Sequence, residues 1–382
     1  MNKTSIYNIK IDFDKSHGCY VFDKNTKKYY LDFMGMYSSL PLGYNHNVFD
    51  SAFETKISKI AKLKLVNCEI LSDEFDQFYN EFKLFTKGDN YHFVCTGALA
   101  VEAAIKTAMW YKGPSHNGYV LSIKNSFHGI NSIGNIITSR FPGVDIRLGN
   151  LPGLDVWPSV KNIPEAIKHI KNSQTSNLKG IIIEPIQATY GDHYLPIDQL
   201  KELRDVCTKY NIPLIFDEIQ TGFGSSGNIW YSERIGVKPD ITVFGKKSQV
   251  SGIMVNASHS KVFEVPKRLS VTFDGDLVDM VRCQYIIKAI KELKLLETMP
   301  ERSSFFANAL KSFGVFDNIK ATGFLFCLDM KDSKSRDIMV KKLHSNGMMV
   351  NPTGERSIRM RPNLATTMKE FSDAKIIIEN SL

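Results

Sequence analysis

Two short apolar runs, each ending in charge, constrain the fold of this chain more than any other feature. Ile212-Pro213-Leu214-Ile215-Phe216 leads into Asp217-Glu218, and Pro239-Asp240-Ile241-Thr242-Val243-Phe244 leads through Gly245 into Lys246-Lys247. Runs of this length suit strands buried on both faces, as in a parallel sheet whose carboxyl ends open on a binding crevice. Between about residues 90 and 260, helical and strand patterns alternate between turn signals. That alternation predicts an α/β domain with a mainly parallel sheet. Residues 91–95, 119–123 and 180–185 read as further strands, and residues 100–111 and 200–210 as helices.

The pattern weakens after Thr272. A helix over 279–297, a strand over 323–330, a helix over 335–346 and a closing strand-turn-helix predict a smaller α+β domain. Residues 18–22 and 28–33 read as a hairpin around Asp23-Lys24-Asn25-Thr26 that can join the C-terminal half. The expected organisation is 1–50 as the N-terminal part of the small domain, 51–274 as the large domain and 275–382 as the C-terminal small domain. At 382 residues and 43% hydrophobic, the chain has enough apolar surface for two such cores.

Composition narrows the function classes. No apolar run approaches the roughly 20 residues that span a bilayer, and residues 1–15 mix Lys and Asp with isolated apolar residues, so a cytoplasmic protein with no membrane partner is expected. Cys19, Cys68, Cys95, Cys207, Cys283 and Cys327 form no Cys-x-x-Cys or Cys/His cluster, which argues against zinc or a disulfide framework. They are read as packing residues, and no metal is expected. The net charge of +8 comes from lysines scattered along helices, so nucleic acid is not an expected partner.

A carboxylate and a lysine at the ends of two buried strands are what pyridoxal-phosphate chemistry needs. A lysine amine holds the cofactor aldehyde as a Schiff base, and a carboxylate keeps the ring nitrogen protonated so that the ring accepts electrons. Thr96-Gly97-Ala98 lies between a strand and a helix, where free N–H groups and the helix dipole can hold a phosphate. Ser126-Phe127-His128-Gly129 follows the next strand, where Phe127 can stack on a flat ring or simply fill the core. Glu184-Pro185-Ile186-Gln187 and Asp217-Glu218-Ile219-Gln220 place further polar groups at strand ends. Alternation along the pleat sends Asp217 and Glu218 to opposite sides without deciding which one faces a cofactor.

Together these residues resemble the class III aminotransferases among the fold-type I pyridoxal-phosphate enzymes. Residues 244–250 and 272–282, with Gly97-Ala98-Leu99-Ala100-Val101-Glu102, are most similar to the L-lysine ε-aminotransferase branch, and the resemblance runs from about Gly18 to the C-terminus. It implies that Lys246 carries pyridoxal 5'-phosphate, that Asp217 pairs with the pyridine nitrogen and that Gln220 lies near the phenolic oxygen. It further implies that Gly97 and Ala98 amides hold the phosphate and that Phe127 stacks on the ring. Thr272 matches the position that completes the neighbouring subunit's phosphate site, so a homodimer is implied. Arg359 matches the arginine that grips the substrate carboxylate, with Arg361 the alternative. The implied reaction moves an amino group from a small-molecule amine donor, a lysine-like ω-amine, to an oxo-acid acceptor. Lys246, once displaced by the substrate amine, serves as the base.

Two positions depart from the branch. Where lysine and ornithine aminotransferases usually carry Arg after Phe-His-Gly, to hold the distal carboxylate of 2-oxoglutarate, this chain has Ile130. Where they carry Glu after Glu-Pro-Ile-Gln, to mask the carboxylate-binding arginine, it has Thr189. Ile130 cannot pair with a carboxylate, so the expectation is that 2-oxoglutarate is not the favoured acceptor, or is held by some other residue, and that the Arg359 site is permanently unmasked. An aminomutase working within a single substrate and a non-catalytic cofactor-binding homologue are the rival readings.

Overall fold

The computed structural model of the chain describes residues 7–67, 69–113, 118–139, 157–172 and 177–382. Its contacts divide the chain into two units, one formed by 57–223 and 228–284, the other by 1–56, 224–227 and 285–382. Residues 51–56 therefore cluster with the smaller unit and 275–284 with the larger, a shift from the 50/51 and 274/275 boundaries read from the sequence.

The larger unit is built on a seven-stranded sheet in the order Asn90–Val94, Ser251–Val255, Ile241–Phe244, Leu214–Asp217, Leu178–Ile183, Tyr119–Ile123 and Ser159–Val160. From Ile241–Phe244 to Ser159–Val160 every neighbour is parallel. Ser251–Val255 runs antiparallel to both of its neighbours. The two charge-ended runs are adjacent central strands, with Ile241 opposite Ile215 and Val243 opposite Asp217. Both are buried along their whole length, as strands covered on two faces must be.

Helix Gly97–Lys112 packs on this sheet through Ala100, Val101, Ala103, Ala104, Ile105 and Ala108, which share one core with Ile182, Ile215, Val243 and Ile253. The alanines allow close approach. A Cβ added at Gly180 would stand 3.2 Å from the Ala108 Cβ, so helix and strand sit at a separation that larger side chains would prevent.

In the smaller unit, the hairpin Tyr20–Asp23 with Lys28–Asp32 is present, and Lys28–Asp32 pairs in parallel with Met348–Met349 of the C-terminal half. A four-stranded antiparallel sheet runs in the order Asn318–Thr322, Leu325–Asp329, Ser357–Met360 and Asn351–Thr353. The sequence reading expected one helix over 279–297. The structure has Leu277–Glu292, a break, and a second helix Met299–Ser312, with Lys294 in the left-handed region at the break. Asn318–Thr322 was not anticipated, because its residues are mostly half-buried and give no clean alternation.

Cys19, Cys207, Cys283 and Cys327 are buried free thiols, while Cys95 is exposed and is not a packing residue; Cys68 lies outside the described residues. Among the described residues no helix is long and apolar enough to cross a membrane.

Candidate active site

The site begins at the carboxyl end of Leu214–Asp217. Asp217, 4% exposed, sets Oδ2 2.9 Å from His128 Nδ1, and its Oδ1 accepts from the Ile219 amide at 3.2 Å. Glu218 turns to the other side of the pleat. Its carboxylate accepts from the amides of Tyr231 (2.5 Å) and Ser232 (2.9 Å) and from Thr221 Oγ1 (3.1 Å), closing the start of helix Tyr231–Ile235. Burial pushes the Glu218 carboxyl up, and the hydrogen bonds from Ser232, Tyr231 and Thr221 pull against it. With these donors around it, Glu218 is a structural group, and Asp217 is the carboxylate of the pair that meets the Phe-His-Gly segment.

The lysines follow Ile241–Phe244. Gly245 is extended, and Lys246 adopts φ +55° at the head of a single 3₁₀ turn, Lys246–Ser248, closed by the Gln249 amide on the Lys246 carbonyl at 2.8 Å. A left-handed backbone is costly for a residue with a side chain and persists where the surroundings impose it, often at working sites. Lys246 is half-buried, whereas Lys247 is buried to 2% exposure. The two adjacent lysines therefore have different environments, with Lys246 the more open.

Ile219 draws the phosphate-type turn to these strands. A Cβ on Gly97 would come within 2.8 Å of Ile219 Cδ1, and one on Gly245 would stand 3.7 Å from Ile219 Cγ1. Gly97 therefore allows the turn before helix Gly97–Lys112 to rest on the loop after Asp217. Thr96 caps the helix: its Oγ1 accepts from the Leu99 amide at 3.4 Å, and its carbonyl accepts from Ala100 at 3.0 Å. The amides of Gly97 and Ala98 are the remaining donors of this first turn, available to an anion.

The Phe127 segment meets the same turn. A Cβ on Gly129 would be 3.3 Å from the Ala98 Cβ, so His128-Gly129 lies against Ala98. Phe127 is half-buried, and its amide donates to Glu184 Oε1 at 2.6 Å. Gln187 Nε2 donates to the Lys124 carbonyl (2.7 Å) and to Ser126 Oγ (3.1 Å), which fixes the strand end that carries Phe127. Gln220 is 8% exposed, and its Oε1 has no donor among the described residues. A buried amide oxygen without a donor among the described residues, first-turn amides that have no partner within their own helix and an oriented carboxylate together fit a phosphorylated, protonated-pyridine cofactor.

Gly97, Ala98, Phe127, Asp217, Gln220 and Lys246 thus belong to segments in mutual contact. Thr272 is exposed on the stretch before helix Leu277–Glu292 and takes no part in these contacts. Arg359 lies in the other unit, 4% exposed on strand Ser357–Met360 opposite Cys327 and Asn351. Arg361, 1% exposed, donates through Nη1 to the Phe326 and Met360 carbonyls, both at 3.1 Å, and so serves its own sheet. Ile130 is 68% exposed, and Thr189 is buried with no partner for Oγ1 among the described residues.

Sequence reasoning assigned no role to His128, Glu184, Gln187 or Ile219. His128 and Asp217 are 89 residues apart, and no local pattern signals that their side chains meet.

The chain matches the family described as aminotransferase class-III over residues 2–382. It is 28% identical to the L-lysine-epsilon aminotransferase of Amycolatopsis lactamdurans over 423 residues, covering 99% of this chain and 93% of that protein. It is 29% identical to the L-lysine-epsilon aminotransferase of Mycobacterium tuberculosis over 412 residues, covering 98% and 92%. The solved lysine aminotransferase from M. tuberculosis in the internal aldimine form superposes with a TM-score of 0.94 at 26% identity, covering 100% of this chain and 96% of that one.

Proposed function

The chain belongs to the class III aminotransferases, pyridoxal-phosphate enzymes of fold-type I, and from that premise we propose that it moves a lysine-like ω-amine to an oxo acid at the cluster around Asp217 and Lys246. The observation that carries this reading is the meeting of four segments, 97–98, 127–129, 217–220 and 245–246, through Ile219 and Ala98.

When bound, pyridoxal phosphate supplies an aldehyde that exchanges amines and a ring that accepts an electron pair from the substrate carbon. The chain supplies the rest. Lys246 Nζ would hold the cofactor through its aldehyde and, once displaced by the substrate amine, would serve as the base that takes and returns the proton. Asp217 keeps the ring nitrogen protonated, and His128 holds the Asp217 carboxylate in place from Nδ1. Gly97 and Ala98 amides would hold the phosphate, Phe127 would stack on the ring, and Gln220 would lie near the phenolic oxygen. Arg359 is the proposed anchor for the substrate carboxylate, since a planar guanidinium suits bidentate carboxylate binding.

The enzyme is proposed to be a homodimer in which Thr272 of the partner subunit completes the phosphate site. Exposure of Thr272 between Val271 and Phe273, 54% and 40% exposed, supports this. A cytoplasmic location is supported by four buried free thiols. For the acceptor, exposed Ile130 and buried Thr189 support an oxo acid without the distal carboxylate of 2-oxoglutarate.

The test is the absorbance of the cofactor-loaded protein before and after L-lysine, L-ornithine, L-glutamate or a simple diamine, without acceptor. L-lysine is expected to convert the bound cofactor, and conversion by none of them overturns the donor reading. A panel of oxo acids then tests the acceptor, where fast turnover with 2-oxoglutarate alone overturns the second reading.

A further inference from the structure

The segment that carries Phe127 and His128 leaves strand Tyr119–Ile123 and returns to its own base. The Ser139 amide donates to the Ser126 carbonyl at 3.0 Å, and the Asn125 amide donates to Ser139 Oγ at 2.8 Å, so residues 125–139 form a closed loop. Within it, helix Ser132–Ile137 folds back over the His128-Gly129 backbone. A Cβ added at Gly134 would stand 2.6 Å from the His128 carbonyl oxygen, a separation that only glycine allows. Glu102 fixes the start of that helix, its Oε1 accepting from the Ile133 amide at 3.0 Å. The loop is thereby tied both to its own base and to helix Gly97–Lys112.

One hydroxyl joins the short helix to the backbone beneath it. Thr138, 8% exposed, ends the helix, and its Oγ1 accepts from the His128 amide at 2.9 Å. The same oxygen lies 2.8 Å from the Gly129 carbonyl and 2.8 Å from the Gly134 carbonyl. The contact with Gly134 is the back-bond that any threonine can make to the residue four places earlier in a helix. The contacts with His128 and Gly129 are not of that kind. They fall on the residue whose Nδ1 meets Asp217 Oδ2 and on the residue that lies against Ala98. The single hydroxyl proton serves one carbonyl or the other, while a lone pair remains for the His128 amide in either case.

We propose that Thr138 is a positioning residue for the reaction: its hydroxyl sets the backbone at His128, and through that backbone the imidazole that holds Asp217. An imidazole reaches a carboxylate from a side chain with two torsions, so the place of Nδ1 follows the place of its own main chain. Without the hydroxyl, the buried His128 amide loses its acceptor and the Gly129 carbonyl loses a donor. The proposal rests on the reading of Asp217 as partner of the ring nitrogen and names the residue that keeps this carboxylate in register.

The test compares Thr138→Val, which keeps the shape and removes the hydroxyl, with Thr138→Ser, which keeps the hydroxyl, each alone and in the His128→Ala background. Steady-state kinetics is read beside the circular dichroism of the bound cofactor's visible band and thermal melting of the loaded protein. Thr138→Val is expected to lower kcat about tenfold with little change in KM and to weaken the dichroic band, while Thr138→Ser stays within about threefold of the unmodified protein. In the His128→Ala background, Thr138→Val is expected to change kcat by less than about twofold, because the side chain through which the hydroxyl acts is gone. Gly134→Ala presses on the same backbone and supplies the same comparison if Thr138→Val does not fold. An equal loss in both backgrounds overturns the proposal, as does unmodified kinetics in a folded Thr138→Val or a Thr138→Ser no better than Thr138→Val. Asp217→Asn separates the two levels. Unmodified kcat in that variant overturns the Asp217 reading and this proposal together, whereas a large loss there beside any of the three preceding results overturns the role of Thr138 alone.

Discussion

His128 Nδ1 and Asp217 Oδ2 stand 2.9 Å apart with both side chains buried, joining the loop after Tyr119–Ile123 to the end of Leu214–Asp217. Asp217 is thereby held from both sides, by the imidazole on one oxygen and by the Ile219 amide on the other. Misplacing a reacting group by about 1 Å can cost roughly 10²-fold in rate. His128→Ala is therefore expected to lower kcat about 10- to 100-fold with a smaller change in KM. His128→Asn, which can still donate to the carboxylate, should recover part of the loss. Steady-state kinetics on the two variants checks this, and equal rates in both would remove the orienting role.

The two lysines at the end of Ile241–Phe244 should separate cleanly. Lys246→Ala is expected to abolish covalent retention of the cofactor and all turnover. Lys247→Ala should keep the covalent link but lose about 1–3 kcal/mol of stability, since its buried side chain leaves a void. Absorbance after gel filtration and urea unfolding read the two effects. The reverse outcome moves the assignment by one residue.

Gly97 and Ile219 are coupled through space, since a Cβ at Gly97 would come within 2.8 Å of Ile219 Cδ1. Gly97→Ala alone is expected to weaken cofactor binding about tenfold, by pushing the Ile219 loop away from the turn. In the Ile219→Ala background the same change should cost much less, because the obstructing methyl is gone. A double-mutant cycle on cofactor affinity should give a coupling of about 1 kcal/mol, and strict additivity would show that the contact does not position the turn.

Asp23 closes the N-terminal hairpin. Burial raises its pKa, but hydrogen bonds from the Lys10, Asn25 and Thr26 amides and Thr26 Oγ1 outweigh that and lower it from 3.8 to about 2. A carboxyl whose pKa is lower folded than unfolded stabilises the fold above its unfolded pKa, and that contribution fades as pH falls through the folded value. The advantage of the unmodified protein over Asp23→Asn should therefore be full above about pH 4 and vanish as pH drops through about 2. Urea unfolding at stepped pH checks this, and a constant difference down to pH 2 would contradict it.

Much of the framework was legible in the chain itself. Strands buried on both faces must be short, continuous apolar runs, so Leu214–Asp217, Ile241–Phe244 and Tyr119–Ile123 declare themselves locally, and the charges that end them mark the edge of the sheet. The Thr96-Gly97-Ala98 turn was legible for the same reason, since a cap and a glycine between strand and helix are local signals. The helix break near Lys294 was not, because the residues on either side of it keep an apolar pattern that runs through the turn.

Tertiary structure alone decided which side chains meet. Alternation placed Asp217 and Glu218 on opposite sides, but only the position of helix Tyr231–Ile235 commits Glu218 to backbone amides and leaves Asp217 for His128. Only packing makes Ile219 the common neighbour of Gly97 and Gly245, and only burial distinguishes Lys246 from Lys247. The physical reason is range. Strand and turn preferences are set by a residue and its near neighbours, whereas the partner of a side chain at a strand end is set by segments tens of residues away.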